Sequence, residues 1–83
     1  MKVTLKLFAL LGQYLPEGAA KNEIDMEVAD GATPMDLISS LNLPLEYCHL
    51  VLVNGNYVEP SARDSYKMVE GDALAIWPPV AGG

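Results

Sequence analysis

The sequence predicts an α+β domain in which one main helix packs on one face of a mixed sheet of four to five strands, followed by a short projecting C-terminal segment. Three observations carry this expectation. Residues 2 to 8 and 22 to 28 alternate apolar and polar side chains with the period of a strand. Thr33-Pro34-Met35-Asp36 opens a helix. Asn54-Gly55 divides two apolar runs in the manner of a tight hairpin.

In the first segment, Val3, Leu5 and Leu7 fall on one face, and Lys2, Thr4, Lys6 and Phe8 on the other. Leu10 to Leu15 is apolar but holds Gly12, and Pro16-Glu17-Gly18 ends it, so an irregular stretch is expected there. The second strand turns Ile24, Met26 and Val28 inward and Glu23, Asp25 and Glu27 outward. Paired antiparallel to the first, it sets those carboxylates near Lys2 and Lys6, which reads as strand register rather than as a metal site.

After the Asp30-Gly31 turn, Thr33 is suited to cap the helix, Pro34 to begin it, and Asp36 to sit near its positive end. Leu37, Ile38 and Leu41 form the buried stripe, and Asn42 with Pro44 ends it. Leu50 to Val53 and Tyr57-Val58 are the hairpin arms, because Asn-Gly accepts the positive φ angles of the turn. Residues 59 to 69 lack periodicity and connect to Glu70-Gly71-Asp72, which launches the last strand. There Leu74 and Ile76 face the helix, while Ala73, Ala75 and Trp77 face away. Strand, strand, helix, strand, strand, loop, strand, with first and last strands adjacent at the centre, is the β-grasp arrangement. Its open face should be flat and apolar, carrying Phe8, Ala73, Ala75 and Trp77 together with whichever of the Leu50 to Val53 residues faces away from the helix.

The chain has 83 residues, room for one domain. The expected division is a β-grasp domain over residues 1–77 and a projecting tail over 78–83. Hydrophobic residues make up 51% of the chain, yet no apolar run is long enough to cross a bilayer. Lys6 interrupts the faintly signal-like start, which places the protein in the cytoplasm. Five basic and eleven acidic residues give a formal net charge of −6, so neither nucleic acid nor an anionic membrane is an expected partner. A basic protein surface suits it better. Cys48 stands alone and reads as a small core residue, and His49 beside it faces the other way, so the two make a poor catalytic pair. No metal-ligand spacing or phosphate loop is present, and neither a catalytic residue nor a bound cofactor is expected.

Pro78-Pro79 cannot donate ladder hydrogen bonds and favours the polyproline II region, so the last strand must stop there. From Pro78 through Val80, Ala81 and Gly82 to Gly83, an extended tail reaches roughly 20 Å. The terminal glycines lack Cβ atoms and fit a narrow tunnel. Such a tail can carry a terminal carboxylate into a partner's site. Phe8, Ala75 and Trp77, beside its root, are the expected partner-binding residues.

Glu70-Gly71-Asp72-Ala73-Leu74-Ala75-Ile76-Trp77-Pro78-Pro79-Val80-Ala81-Gly82-Gly83 closely resembles the C-terminal motif of the MoaD/ThiS sulfur carriers, above all the MoaD branch. Phe8-Ala9, Thr33-Pro34 and Leu52-Val53-Asn54-Gly55 extend the likeness over nearly the whole chain. Gly12-Gln13 departs from it, since many members carry Arg-Glu there. The resemblance implies a ubiquitin-like fold and a role in molybdenum cofactor biosynthesis. It further implies that a ubiquitin-activating-type adenylyltransferase (MoeB/ThiF-like), using ATP, adenylates Gly83. A thiocarboxylate formed there gives its sulfur inside a MoaE-like large subunit of molybdopterin synthase, so the chain is a cosubstrate, not an enzyme. A carrier for thiamine, tungstopterin or another sulfur pathway, a lysine-conjugated modifier, and a plain β-grasp interaction module are the alternatives.

Overall fold

The computed structural model describes residues 1–79; the tail residues Val80, Ala81, Gly82 and Gly83 lie outside the described residues. Five strands, β1 (Lys2–Leu7), β2 (Glu23–Glu27), β3 (Leu50–Val53), β4 (Asn56–Tyr57) and β5 (Ala73–Trp77), and one α-helix, α1 (Pro34–Ser40), form the frame. The strands lie in the order β2-β1-β5-β3-β4. β1 and β5 are parallel neighbours at the centre, and the other neighbouring pairs are antiparallel. This is the expected element order and the expected central pair.

The core forms because alternation turns one side of every central strand toward α1. Val3, Leu5, Leu7, Val51, Val53, Leu74 and Ile76 are at most 1% exposed and pack with Leu37, Ile38, Leu11 and Met68. Ile24, Met26 and Leu41 are also in the packing, but less completely covered. β2 is an edge strand, α1 has only seven residues, and Leu41 caps its end, so these three are covered on one side and half-exposed on the other.

Local chemistry fixes both ends of α1. Thr33 Oγ1 accepts from the Asp36 backbone N–H at 3.1 Å while the Asp36 carboxylate accepts from the Thr33 N–H at 2.9 Å, a reciprocal cap. At the other end Asn42 takes φ 58°. Its N–H reaches Ser39 O, and the Leu43 N–H reaches Ile38 O, which closes the last carbonyls in a Schellman motif. The hairpin between β3 and β4 has Asn54 at φ 52° and Gly55 at φ 81°, a two-residue turn with both angles positive.

Two features differ from the sequence expectation. The register sets Lys2 opposite Glu27 and Lys6 opposite Glu23, but among the described residues neither lysine lies within 4.0 Å of a carboxylate. Instead the N-terminal amine is 3.8 Å from Glu27, and the Thr4 hydroxyl donates to Asp25 at 2.8 Å. Long lysine stems gain little from being held in an exposed pair. The aperiodic stretch after β4 also carries more structure than a connector. It contains a short 3₁₀ helix, Pro60–Ala62, and then Arg63, only 5% exposed. The Arg63 guanidinium donates to the carbonyls of Val58 at 2.9 Å, Cys48 at 2.9 Å and His49 at 3.2 Å. Among the described residues no carboxylate pairs with it.

Candidate functional site

The candidate site is the end of the sheet where β5 stops. β5 stays paired up to its last residue, because Phe8 N–H donates to Ile76 O at 3.2 Å and His49 N–H donates to Trp77 O at 3.1 Å. Pro78 and Pro79 then have no N–H to continue either ladder. Pro78 is buried and Pro79 exposed, so the described chain emerges into solvent two residues after the last paired residue of the strand.

Phe8 and Trp77 are brought together as sequence reasoning expected. Their rings stack with centroids 4.2 Å apart and planes 5° from parallel. Phe8 is extended, at φ −111°, and the next residue, Ala9, swings to φ 53°, into the left-handed region that favours glycine. That bend carries the chain off β1 into the 3₁₀ helix Ala9–Tyr14 and leaves the Phe8 ring on the open face. Ala75 sits between Lys6 on β1 and Leu52 on β3.

The open face is not apolar throughout, contrary to the expectation. Its β5-β3-β4 half presents Ala73, Ala75, Trp77, Leu50, Leu52 and Tyr57, with Leu50 37% and Tyr57 55% exposed. Its β1-β2 half presents Lys2, Thr4 and Lys6 beside Glu27, Asp25 and Glu23, because alternation that buries Val3, Leu5 and Leu7 must turn these outward. An apolar half adjoining a charged half makes the face asymmetric, cheap to desolvate at one side and directional by charge at the other. Sequence reasoning left open which residues of the Leu50–Val53 run share this face and did not single out Tyr57, Leu45 or Leu10, although Leu50 and these three are exposed apolar side chains. For Leu50 and Tyr57 the missing signal was register: Leu50 opposite Trp77, and Leu52 opposite both Ala75 and Tyr57, put them on this face.

The side chains near the tail root offer little chemistry of their own. Cys48 is buried and its thiol lies 3.5 Å from Pro44 O. Burial pushes the thiol pKa up and nearby Glu46 adds to that, with Arg63 opposing, so the thiolate is disfavoured. Among the described residues no three His, Cys, Asp or Glu side chains gather at metal-binding spacing. No helix there is long and apolar enough to cross a membrane. The site's geometry is that of a strand end held on both sides beside an exposed apolar half-face.

Comparison with known proteins agrees with the fold and with the family resemblance. The Mut7-C ubiquitin family model matches residues 1–82. A molybdopterin synthase sulfur carrier subunit from Chlamydomonas reinhardtii is 35% identical over 74 residues, 81% of this chain and 86% of that protein. The solution structure of the Haloferax volcanii HVO 2177 protein superposes with a TM-score of 0.76 at 29% identity, over 100% of this chain and 87% of that one. A putative molybdopterin converting factor, subunit 1, from Pyrococcus furiosus gives 0.66 at 27% identity, over 95% and 98%. The chain belongs to the Mut7-C ubiquitin family and is a MoaD-like member of the MoaD/ThiS sulfur carriers, with their ubiquitin-like β-grasp fold.

Proposed function

We propose that this chain carries sulfur on Gly83 for molybdopterin synthesis. The observation that carries the reading is the root of the tail: a central strand held on both sides up to Trp77, cut by Pro78-Pro79, beside an oriented apolar face. The sulfur carrier subunit relative supports the choice of pathway. A MoeB/ThiF-like adenylyltransferase docks on Phe8, Ala75 and Trp77, and the Gly83 carboxylate attacks the α-phosphate of ATP, releasing pyrophosphate. This step is needed because a carboxylate is a poor electrophile until its oxygen becomes a leaving group. A persulfide sulfur then attacks the acyl carbon and AMP departs. A second thiol cleaves the resulting S–S bond and leaves the thiocarboxylate. In the large, MoaE-like subunit that sulfur passes to the pterin precursor, with catalytic groups supplied by the partner.

The test is ATP–pyrophosphate exchange and intact mass on the chain with Gly83 deleted and with one residue added after it. Each residue sets the end by roughly 3.5 Å, and misplacement by about 1 Å can cost on the order of a hundredfold in rate. Both variants should lose activation while their melting temperatures stay put. Activation equal to that of the unaltered chain would remove Gly83 from the chemistry. If the activated chain appears joined to lysines of other proteins and never as a thiocarboxylate, modification replaces sulfur transfer as the reading.

A further inference from the structure

The edge of the sheet farthest from the hairpin has features that the tail does not use. Among the described residues, β1 is the one strand that pairs with β2. Met1 and Val28 exchange backbone hydrogen bonds, and Leu7 N–H reaches Asn22 O, so the alternating pattern gives Val3 with Met26 and Leu5 with Ile24 the inward bonds. Glu23, Asp25 and Glu27 therefore turn their N–H and C=O groups outward. Glu23 uses both on Ala20, at 3.0 and 3.1 Å, across the turn at Lys21-Asn22. Asp25 and Glu27 remain with an outward donor and acceptor each, a short free template for another strand.

Beneath that edge lies a mostly apolar cleft of about 310 Å³ between β2 and α1, formed by Met26, Val28, Ala32 and Leu37 with Asp36 and Ser40 at its rim. α1 is too short to close it. Above the edge, on the open face, stand the three exposed carboxylates Glu23, Asp25 and Glu27. A strand added here alternates its side chains between those two environments. One set enters the cleft and the other lies beside the carboxylates.

We propose that the β2 edge and the β2-α1 cleft bind an extended segment of another protein in which apolar residues alternate with Lys or Arg. Charge complementarity selects this occupant. β1, which already pairs with β2, has that pattern: Lys2, Thr4 and Lys6 face Glu27, Asp25 and Glu23, while Val3, Leu5 and Leu7 face the core. The free edge shows a second strand the same side chains. A second copy of this chain is the poorer occupant, because antiparallel pairing of two β2 edges would set carboxylate against carboxylate. The other edge, β4, has two residues and offers less.

The site is separate from the tail root. β2 lies two strands from β5, roughly 10 Å across the sheet, and Met26 pairs at the Val3 end of β1, about 13 Å along the strand from Leu7 beside Ile76. A bound strand and a partner on the Phe8, Ala75 and Trp77 face fit together. The proposal does not rest on the sulfur-carrier reading.

The experiment is an amide-resolved NMR titration of the intact chain with acetyl-Lys-Val-Lys-Val-Lys-Val-amide. The Asp25 and Glu27 amides should move most and gain protection from exchange, and the Met26 and Leu37 methyl signals should shift with them. The acidic analogue, with Glu for Lys, should bind at least about tenfold more weakly, because it exchanges attraction for repulsion at both Asp25 and Glu27. D25K should weaken the basic peptide about tenfold, and S40W, which fills the cleft from an exposed position, should do the same through a different contact. Equal binding of both peptides, shifts centred on Phe8 and Trp77, or unmoved Asp25 and Glu27 amides at several millimolar peptide would each overturn the proposal.

Discussion

Arg63→Met is the most informative single substitution in the body of the domain. The guanidinium satisfies three carbonyls, those of Val58, Cys48 and His49, at 2.9 to 3.2 Å in a site only 5% exposed. Methionine fills similar space and donates to none of them. Each acceptor left unpaired in the interior costs about 1 to 3 kcal/mol, and some water entry will relieve part of the sum, so a loss of about 3 to 5 kcal/mol is expected. A chain of this length is stable by roughly 4 to 12 kcal/mol. At about 4 to 8 °C per kcal/mol, the melting temperature should fall by at least about 12 °C. Arg63→Lys keeps the charge but not the planar fork, so it should fall between. Thermal melts followed by Trp77 fluorescence measure all three proteins. If Arg63→Met melts within about 3 °C of the original, the three carbonyls have other donors and the structural role assigned to Arg63 is wrong.

Other expectations concern the core, the docking face and pH. Leu74→Ala removes a side chain with no exposure from the central strand and should cost about 2 to 5 kcal/mol, read as a lowered urea midpoint; a loss under about 1 kcal/mol would mean that the last strand is misregistered. Ala75→Glu sets a carboxylate beside Lys6 on the open face, so stability should hold while binding to the proposed activating enzyme and the proposed large subunit weakens, and unchanged affinity for both would exclude this face. Phe8→Ala removes the ring stacked at 4.2 Å on Trp77 and should speed hydrogen exchange of the His49 amide about tenfold; no change would mean that the stack does not hold the strand end. The Cys48 pKa is raised in the folded chain, first by burial, so its stabilising contribution is complete below the unfolded value of about 8.5 and is lost as pH rises through the folded value. Chemical denaturation from pH 7 to 10 should show extra alkaline loss that Cys48→Ala lacks; parallel curves for the two proteins would refute the shift.

What could be read from the sequence was what neighbouring residues decide among themselves. Thr33 and Asp36 cap α1 within one turn, Asn42 closes it, and Asn54-Gly55 sets the hairpin, so each appears in the residue order. Strand alternation told which side of β1 and β5 is buried. Arg63 was hidden because its burial depends on carbonyls 5, 14 and 15 residues away, and no local pattern marks a cation that will be solvated by backbone. The free β2 edge was hidden for a related reason: alternation identifies a strand but not its second neighbour. At the candidate site, Phe8, Ala75 and Trp77 could be placed on one face from parity alone, whereas adding Leu50 and Tyr57 required the β5-β3-β4 register.

Placing the tail on a central strand has an energetic consequence that an edge strand would not give. To swing the root, the Trp77 carbonyl must leave the His49 N–H, the Ile76 carbonyl must leave the Phe8 N–H, and the Phe8-Trp77 stack must open. Two hydrogen bonds at about 1 kcal/mol each and a stack at about 1 kcal/mol make roughly 3 kcal/mol. A root freed at that cost is populated below about 1% of the time. Arg63 adds to the hold from beneath, because it fixes the carbonyls of Cys48 and His49 while the His49 N–H holds Trp77. A partner that binds the face thus meets a strand end whose direction is set before contact. On the proposed function, the ordering entropy of docking is then reduced by the part already paid at the strand end, up to Trp77.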